Sequence, residues 1–304
     1  MIYVWHHVVA LVLAIGAGYA LTRARWVHRS PRLAVLLWQA TAFSAVSAAA
    51  GLLLSAGLAP YRLGILPALC RFSADLTAGV TPPGLTVGHA LAVATGMLLV
   101  AAGMAVQIRS SWSVRRERER HRLLLRLVAR PDVDGPDFVL DHPGAAAYFL
   151  PGTASSAGCV VISSGTRDAL SDAELAAVLA HEHRDGRERH HLVLAPFHAL
   201  RRTVPCRVTA RAAACVELLV EMCADDAAAR DRGTAPLIAA LRRFQELRMR
   251  VTPRGALGAA DDLAVRIERL RRARRPLAAH HRWGLALAAL AVATTPPSLF
   301  VLPL

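Results

Sequence analysis

The chain has 304 residues, 54% of them hydrophobic, with a mean hydropathy of +0.36, values that argue against an ordinary soluble domain and for a membrane protein. Its formal charge of +14 and pI near 11.1 keep a nucleic-acid partner open until the charge is located along the chain. The five cysteines, Cys70, Cys159, Cys206, Cys215 and Cys223, have no C-x-x-C spacing, which argues against a Cys metal site and for small core residues in a reducing compartment.

Tyr3 to Leu21 is almost wholly apolar and close to the ~20 residues that cross a bilayer core. It has neither the positive n-region nor the cleavage site of a signal peptide, so a retained span is expected. An Arg-rich loop follows, with Arg23, Arg25, Arg29 and Arg32, and then a second apolar run from Ala34 to Ala59. The mixed segment Pro60 to Leu85 contains Pro67, Pro82 and Pro83, and a third apolar run extends from Thr86 to Ile108. Beyond it stand Arg109, Arg115, Arg116, Arg118, Arg120, Arg122, Arg126 and Arg130, whereas Pro60 to Leu85 carries only Arg62, Arg71 and Asp75. The positive-inside rule then puts the first loop and everything after Ile108 in the cytoplasm, with the N-terminus outside. Arginines beside a span set topology and meet anionic lipid, so the basicity is assigned to the membrane and no nucleic-acid partner is expected. Leu123, Leu124, Leu125 and Leu127 predict a short helix lying on the membrane or on the domain that follows.

From Pro131 the composition becomes that of a compact domain. Phe138 to Leu140, Ala145 to Leu150 and Cys159 to Ser163 read as short strands separated by Asp-His-Pro-Gly and Pro-Gly turns. Ser171 and Glu174 form an S-x-x-E capping box, and Leu175, Val178, Leu179 and Glu182 recur at helical spacing, which predicts a helix from Ser171. Leu192 to Leu200 reads as a buried helix ended by Pro205. Arg207 to Arg230, Ala235 to Met249 and Ala260 to Arg274 read as three more helices. Trp283 to Leu302 is a fourth expected span despite Pro296 and Pro297, which membrane helices tolerate. The expected division is a membrane domain at 1–108, a cytoplasmic domain at 109–280 and the last span at 281–304.

The third turn of the Ser171 helix reads His181-Glu182-His183-Arg184-Asp185. In H-E-x-x-H, two imidazoles at i and i+4 share a helix face and bind Zn²⁺, and the Glu between them is general base to water. Here the second His is Asp185. A third donor has to come from elsewhere, and Glu221-Met222-Cys223-Ala224-Asp225 is the best source. Glu221 and Asp225 share one helical face, Glu221 for the metal and Asp225 to accept a hydrogen bond from a liganding imidazole.

Four segments, Tyr148-Phe149-Leu150-Pro151-Gly152, Val160-Val161-Ile162-Ser163-Ser164-Gly165, Leu175 to Glu182 and Glu221 to Asp225, resemble the integral-membrane gluzincin peptidases. Among these the chain is most similar to the beta-lactam sensor-transducer peptidase family, and more distantly to the heat-shock and CAAX prenyl membrane proteases. No sensor domain follows the last apolar run, so beta-lactam sensing is not expected. The resemblance implies zinc, with His181 and Glu221 as ligands and Glu182 as base. It also implies an α-helical membrane protein with four transmembrane helices and an inserted α+β zincin-like (gluzincin) metallopeptidase domain.

At about 100° per residue, His183 lies well around the helix from His181, and His190 faces the opposite side if the helix is continuous. Asp185 is then the group on the correct face, a shorter ligand that adds a second negative charge beside Glu221. The expectation is a multi-pass cell-membrane zinc metalloendopeptidase acting on a protein or peptide, with the strand at Val160 to Ser163 aligning an extended substrate. The second reading is a pseudoprotease that has lost its metal and serves as a membrane scaffold or signal relay. The sequence leaves the oligomeric state undetermined.

Overall fold

A computed structural model of the whole chain describes residues 2–81, 84–131, 138–152, 158–188, 190–251, 258–272 and 277–301. Pro82, Pro83, Arg274 and Leu302, named above as loop or helix-end residues, lie outside the described residues. The chain forms two compact units, Met1–Ile108 with Leu277–Leu304, and Arg109–Pro276.

The first unit opens with α1 (Ile2–Leu21), and a 3-10 turn leads to α2 (Pro31–Gly57). Pro31 sits in the first turn of α2, where its missing N–H is not needed. The buried face of α2 carries Ala34, Trp38, Thr41, Ala48 and Gly51, small enough on average for close approach of α1. Gly51 is required there, because any Cβ would overlap the imidazole ring of His7. The mixed segment Pro60 to Leu85 is more ordered than its composition predicts: it contains α3 (Ile65–Thr77), whose Ile65 and Ala68 pack with Leu54, Leu58 and Val93.

The next helix, α4 (Val87–Val128), is 42 residues long and continuous. The sequence predicts a span and a separate short helix here. Between Met104 and Arg130 there is neither Gly nor Pro to interrupt the Arg, Glu and Leu run, and strong helix formers carry it through.

In the second unit, β1 (Ala129–Pro131), β2 (Phe138–Leu140), β3 (Ala147–Leu150) and β4 (Cys159–Ser163) form one sheet in the order β1-β2-β4-β3. The pair β2/β4 is parallel and the other two pairs are antiparallel. Every residue of β4 is buried, as an inner strand covered on both faces requires. β4 is therefore paired on both sides and has no edge to offer a substrate, which corrects the sequence expectation. Among the described residues the open edge near the site belongs to β3. Ala145 and Ala146 fall outside β3 because the Ala146 N–H is given to Ser163 Oγ and Thr166 Oγ1 instead of to a strand.

A short helix, α5 (Ser164–Ala169), leads into α6 (Asp172–Arg187). The capping box is present: Ser171 N–H donates to Glu174 Oε2 at 2.8 Å, and Glu174 N–H to Ser171 Oγ at 3.5 Å. Then come α7 (His190–Thr203), α8 (Arg207–Arg232), α9 (Thr234–Val251) and α10 (Gly258–Arg271). Ala213, Ala227 and Ala228 of α8 are fully buried, so neighbouring helices come close along its whole length. Ala177 of α6, Ala228, Leu237 and Leu241 of α9, and Leu263 and Ile267 of α10 make the main core of this unit.

Back in the first unit, α11 (Ala279–Val301) packs on α2 and keeps Pro296 and Pro297 inside the helix. Among the described residues three helices are long and apolar enough to cross a membrane, within Val4–Leu21, Pro31–Gly57 and Val87–Leu125; α11 is not one of them. None of the cysteines is in a disulfide; Cys159 and Cys223 are core residues as expected, but Cys70 and Cys206 are exposed.

The cap sets where α6 begins and hence the phase of the side chains that follow. The Ser171 N–H, with Arg243 alongside, holds the Glu174 carboxyl below the usual carboxylate range. A group whose folded pKa is depressed stabilises the fold above its unfolded pKa and loses that contribution as pH falls through the folded value. Glu174→Ala is expected to lower the stability of the detergent-purified chain by about 1 kcal/mol at neutral pH. Thermal unfolding at stepped pH checks this: the gap to the unmodified protein closes as the pH falls through the carboxylate range.

Candidate functional site

The site is built where α6, α8 and α10 meet under the edge of β3. His181 of α6 is buried, with Nε2 3.4 Å from Glu221 Oε2 and Nδ1 3.1 Å from Asp225 Oδ1. The Nδ1 contact is oblique and falls short of hydrogen-bond geometry. Because Glu221 and Asp225 are four residues apart on α8, both reach the same imidazole. The E-x-x-x-D pattern thus brings together the residues it predicts.

Behind them stands Arg266 of α10, which the sequence reading missed. Its Nε and Nη2 donate to the two Asp225 oxygens at 2.8 and 2.7 Å, and its Nη1 lies 2.8 Å from Glu221 Oε2. Asp225 is 0% exposed and Arg266 8%. Burial opposes charge on each of these groups, but the guanidinium and the imidazole outweigh it and hold both carboxyls well below the carboxylate range. The same carboxylates hold Arg266 and His181 protonated against the cost of burial. A bidentate fork closes the ring His181, Asp225, Arg266, Glu221.

Glu182 lines the same cavity, beside His181. Its Oε2 accepts the backbone N–H of Phe149 at 3.0 Å, so the side chain is tied to the open edge of β3. Burial, reinforced by Glu221 and Asp185, pushes its carboxyl up to about 7 in spite of His181. The Phe149 ring is seated against Gly158 and Gly186, and a Cβ at residue 186 would overlap it. The sequence leaves Gly186 without a partner; here it is what lets β3 lie against α6.

Asp185 lines the cavity too, but its Oδ1 is engaged by His190 Nδ1 at 2.7 Å, and His190 Nε2 reaches Glu188 Oε2 at 3.2 Å. A continuous helix would put His190 on the far side. Instead α6 ends at Arg187, the chain turns at Glu188, and α7 starts at His190, which folds the imidazole back on Asp185.

The donor set here can be compared in spacing with a tetrahedral zinc site. Two ligands ~2.0–2.2 Å from a tetrahedral zinc stand roughly 3.3–3.6 Å apart. His181 Nε2 and Glu221 Oε2, 3.4 Å apart and facing one another, have that spacing. Asp225 at Nδ1 is in the usual place of a carboxylate that orients a liganding imidazole. Asp185 brings a carboxylate to the same cavity, and His190 occupies one of its two oxygens. Among the described residues no three His, Cys, Asp or Glu side chains already converge into a cage. The residues fit zinc by chemistry, with two donors in place and the third within the cavity.

The model of peptidase family M48 matches residues 114–268, just over half of the chain and the whole of the site described above. The match does not separate the beta-lactam sensor-transducer, heat-shock and CAAX prenyl branches. No curated protein and no solved structure matches the chain.

Removing Arg266 leaves the fully buried Asp225 carboxylate, and the partly exposed Glu221 beside it, without their cation, and an unpaired buried charge typically costs about 3–5 kcal/mol. Arg266→Met is therefore expected to lower the unfolding midpoint sharply, and Arg266→Lys to recover only part of the loss, since one ammonium cannot serve three oxygens in a fork. Thermal unfolding of the two variants checks the order; equal stability of Lys and Arg would show that charge alone suffices.

Proposed function

The chain belongs to peptidase family M48, and on that premise we propose that this metallopeptidase is a membrane-embedded, zinc-dependent endopeptidase acting on a protein or peptide. The observation that carries the proposal is the facing pair His181 Nε2 and Glu221 Oε2, 3.4 Å apart, in one cavity with Glu182. Peptidases of this family are generally zinc-dependent. His181, Glu221 and Asp185 would hold the ion. Bound zinc supplies a Lewis acid that polarises a carbonyl and makes water acidic near neutral pH.

The chain's own residues do the rest. Glu182, with a carboxyl near 7, is suited to take a proton from water at Oε1 and to return it to the leaving amine, while Phe149 N–H holds Oε2. Asp225 orients His181, and Arg266 keeps Asp225 and Glu221 ionised. An extended substrate adds to the open edge of β3, where main-chain groups align it beside Glu182.

Membrane embedding is supported by the three apolar helices and by the outward-facing Trp5, Leu13, Leu91, Leu98 and Met104, which suit lipid. We assign the protein to the cell membrane as a multi-pass chain with α11 as a fourth span. The arginines of the first loop and of the segment after Ile108 support a cytoplasmic position for the peptidase unit.

Three measurements test this. Metal analysis of the detergent-purified full chain is expected to find about one zinc per site. Glu182→Gln is expected to keep that zinc and lose at least ~10²-fold in hydrolysis. Asp185→Ala is expected to lower zinc occupancy and activity together. Protein that is zinc-free and takes up none at micromolar zinc overturns the zinc assignment. For topology, single cysteines in a background without the native ones are read with an impermeant thiol reagent. Residue 74 is expected to label from outside and residue 233 not; the reverse pattern sinks the cytoplasmic assignment.

A further inference from the structure

β3 carries the backbone N–H that holds the Glu182 carboxylate, and the strand is itself held by the end of α4. We propose that His121 and Arg122 of α4 are positioning residues: by clamping β3 they fix where the Phe149 N–H stands, and so where Glu182 points. The proposal rests on the peptidase reading and adds two residues that act on its base through the strand. Among the described residues neither of them lines the cavity.

β3 has four residues and, among the described residues, pairs along one side only, with β4. Pro151 follows it and has no N–H with which to extend the ladder. So short an edge strand has few main-chain bonds to hold it, and α4 supplies the rest. Successive strand residues point to opposite faces. Tyr148 and Leu150 point to α4, where both pack with Leu125, whereas Phe149 points to α6 with its ring against Gly186. On α4, His121, Arg122 and Leu125 fall within about 100° of the helix surface, and they meet the strand at three places. His121 Nε2 is 2.7 Å from the Tyr148 hydroxyl, with the ring centroids 5.5 Å apart. Arg122 Nη2 donates to the Leu150 carbonyl at 3.3 Å and also to the Pro151 carbonyl, which the ended ladder leaves without a strand partner. Leu125 is buried in the core with Leu150, Cys159 and Val161. Tyr148 and Leu150 flank Phe149, so the strand is gripped on both sides of the N–H that reaches Glu182.

A tilt or slide of β3 carries the Phe149 N–H with it, and Glu182 Oε2, 3.0 Å away, either follows or loses its donor. A misplacement of about 1 Å at reacting groups costs roughly 10²-fold in rate. The clamp is not what holds the unit together. His121, Arg122 and Tyr148 are half-buried, and the main core lies among α6, α8, α9 and α10. Loss of a polar contact at a half-buried place is met by water, which leaves the fold standing and the strand loose. The clamp also sets Arg122 apart from the other arginines that follow Ile108. Arg115, Arg116 and Arg120 are exposed, whereas Arg122 is turned into the sheet. The positive-inside rule asks for charge near a span; two neighbouring carbonyls ask for a forked donor at this one position.

The test uses the full chain in detergent and a quenched fluorescent peptide chosen from a mixed library on the unmodified protein. His121→Phe and Tyr148→Phe each remove one end of the same hydrogen bond and keep the ring, and Arg122→Met removes both carbonyl bonds and keeps the length. In these three variants kcat is expected to fall at least ~10-fold with KM within about twofold. The double variant of His121→Phe with Tyr148→Phe is expected to be no worse than either single one, since both delete one interaction. Arg122→Lys is expected to recover part of the loss. Leu127→Ala, exposed on the opposite side of α4, is expected to leave kcat unchanged. A second readout needs no activity: amide hydrogen exchange resolved to single residues is expected to speed up at Phe149 by at least ~10-fold in the three variants and to stay unchanged at Val220 of α8. In an active chain, either readout unchanged in all three variants overturns the proposal. So do additive losses in the double variant, or a loss of kcat accompanied by faster exchange at Val220, which marks general loosening. If the unmodified chain cuts no peptide, exchange alone decides: faster exchange at Phe149 keeps the clamp on Glu182 and sets the peptidase reading aside, and unchanged exchange overturns the clamp.

Discussion

The Arg266 fork on Asp225 is the interaction on which this unit depends. A carboxylate with no exposure cannot stay ionised unless a cation meets both oxygens, and Arg266 does so with two bonds of 2.7 and 2.8 Å. Asp225 in turn lies 3.1 Å from Nδ1 of His181 on the neighbouring helix. The third guanidinium nitrogen reaches Glu221, which faces Nε2 of the same imidazole. One buried cation thus joins α6, α8 and α10, and the functional pair and the helix packing are a single structure. A buried ion pair is a weak source of net stability, but a broken one is costly. Its effect is therefore to exclude other arrangements of the three helices.

The second constraint is steric and acts between α6 and the sheet. Phe149 reaches Glu182 only because Gly158 and Gly186 leave space for its ring. That contact sets how far the open edge of β3 stands from His181. It also ties Glu182 to the main chain of β3 through the Phe149 N–H. The position of the carboxylate is defined by backbone, which is stiffer than a side-chain partner.

How much of this was legible in the sequence follows from the range of each interaction. The capping box, the H-E pair and the E-x-x-x-D pair are set within one or two helical turns, and periodicity alone places them on the right faces. Arg266 was not legible. It lies 41 residues from Asp225 and among Arg269, Arg271 and Arg272, with nothing local to single it out. The inner position of β4 was hidden for a similar reason, since a short apolar run reads alike in the middle or at the edge of a sheet. Its full burial in the fold, and the alternation lost with it, is the signal that favours an inner strand. The end of α6 was not legible, because the segment carries no proline and Gly186 stands inside the helix and not after its end.

The end of α6 at Arg187 changes the meaning of Asp185. On a continuous helix Asp185 is an extra negative charge beside Glu221, with no compensation in reach. With the chain turning at Glu188, His190 returns to Asp185 and lies between it and Glu188. Burial works against a charged imidazole at this place, yet the two carboxylates outweigh it and raise the His190 pKa above its usual value. Glu221 and Asp185 thus each have a nitrogen partner on another helix, Arg266 for Glu221 and His190 for Asp185. The carboxylate that stands for an imidazole on α6 is met by an imidazole on α7. Read this way, Asp185 and His190 are one unit, and the departure from H-E-x-x-H is a redistribution of the same groups across a helix end.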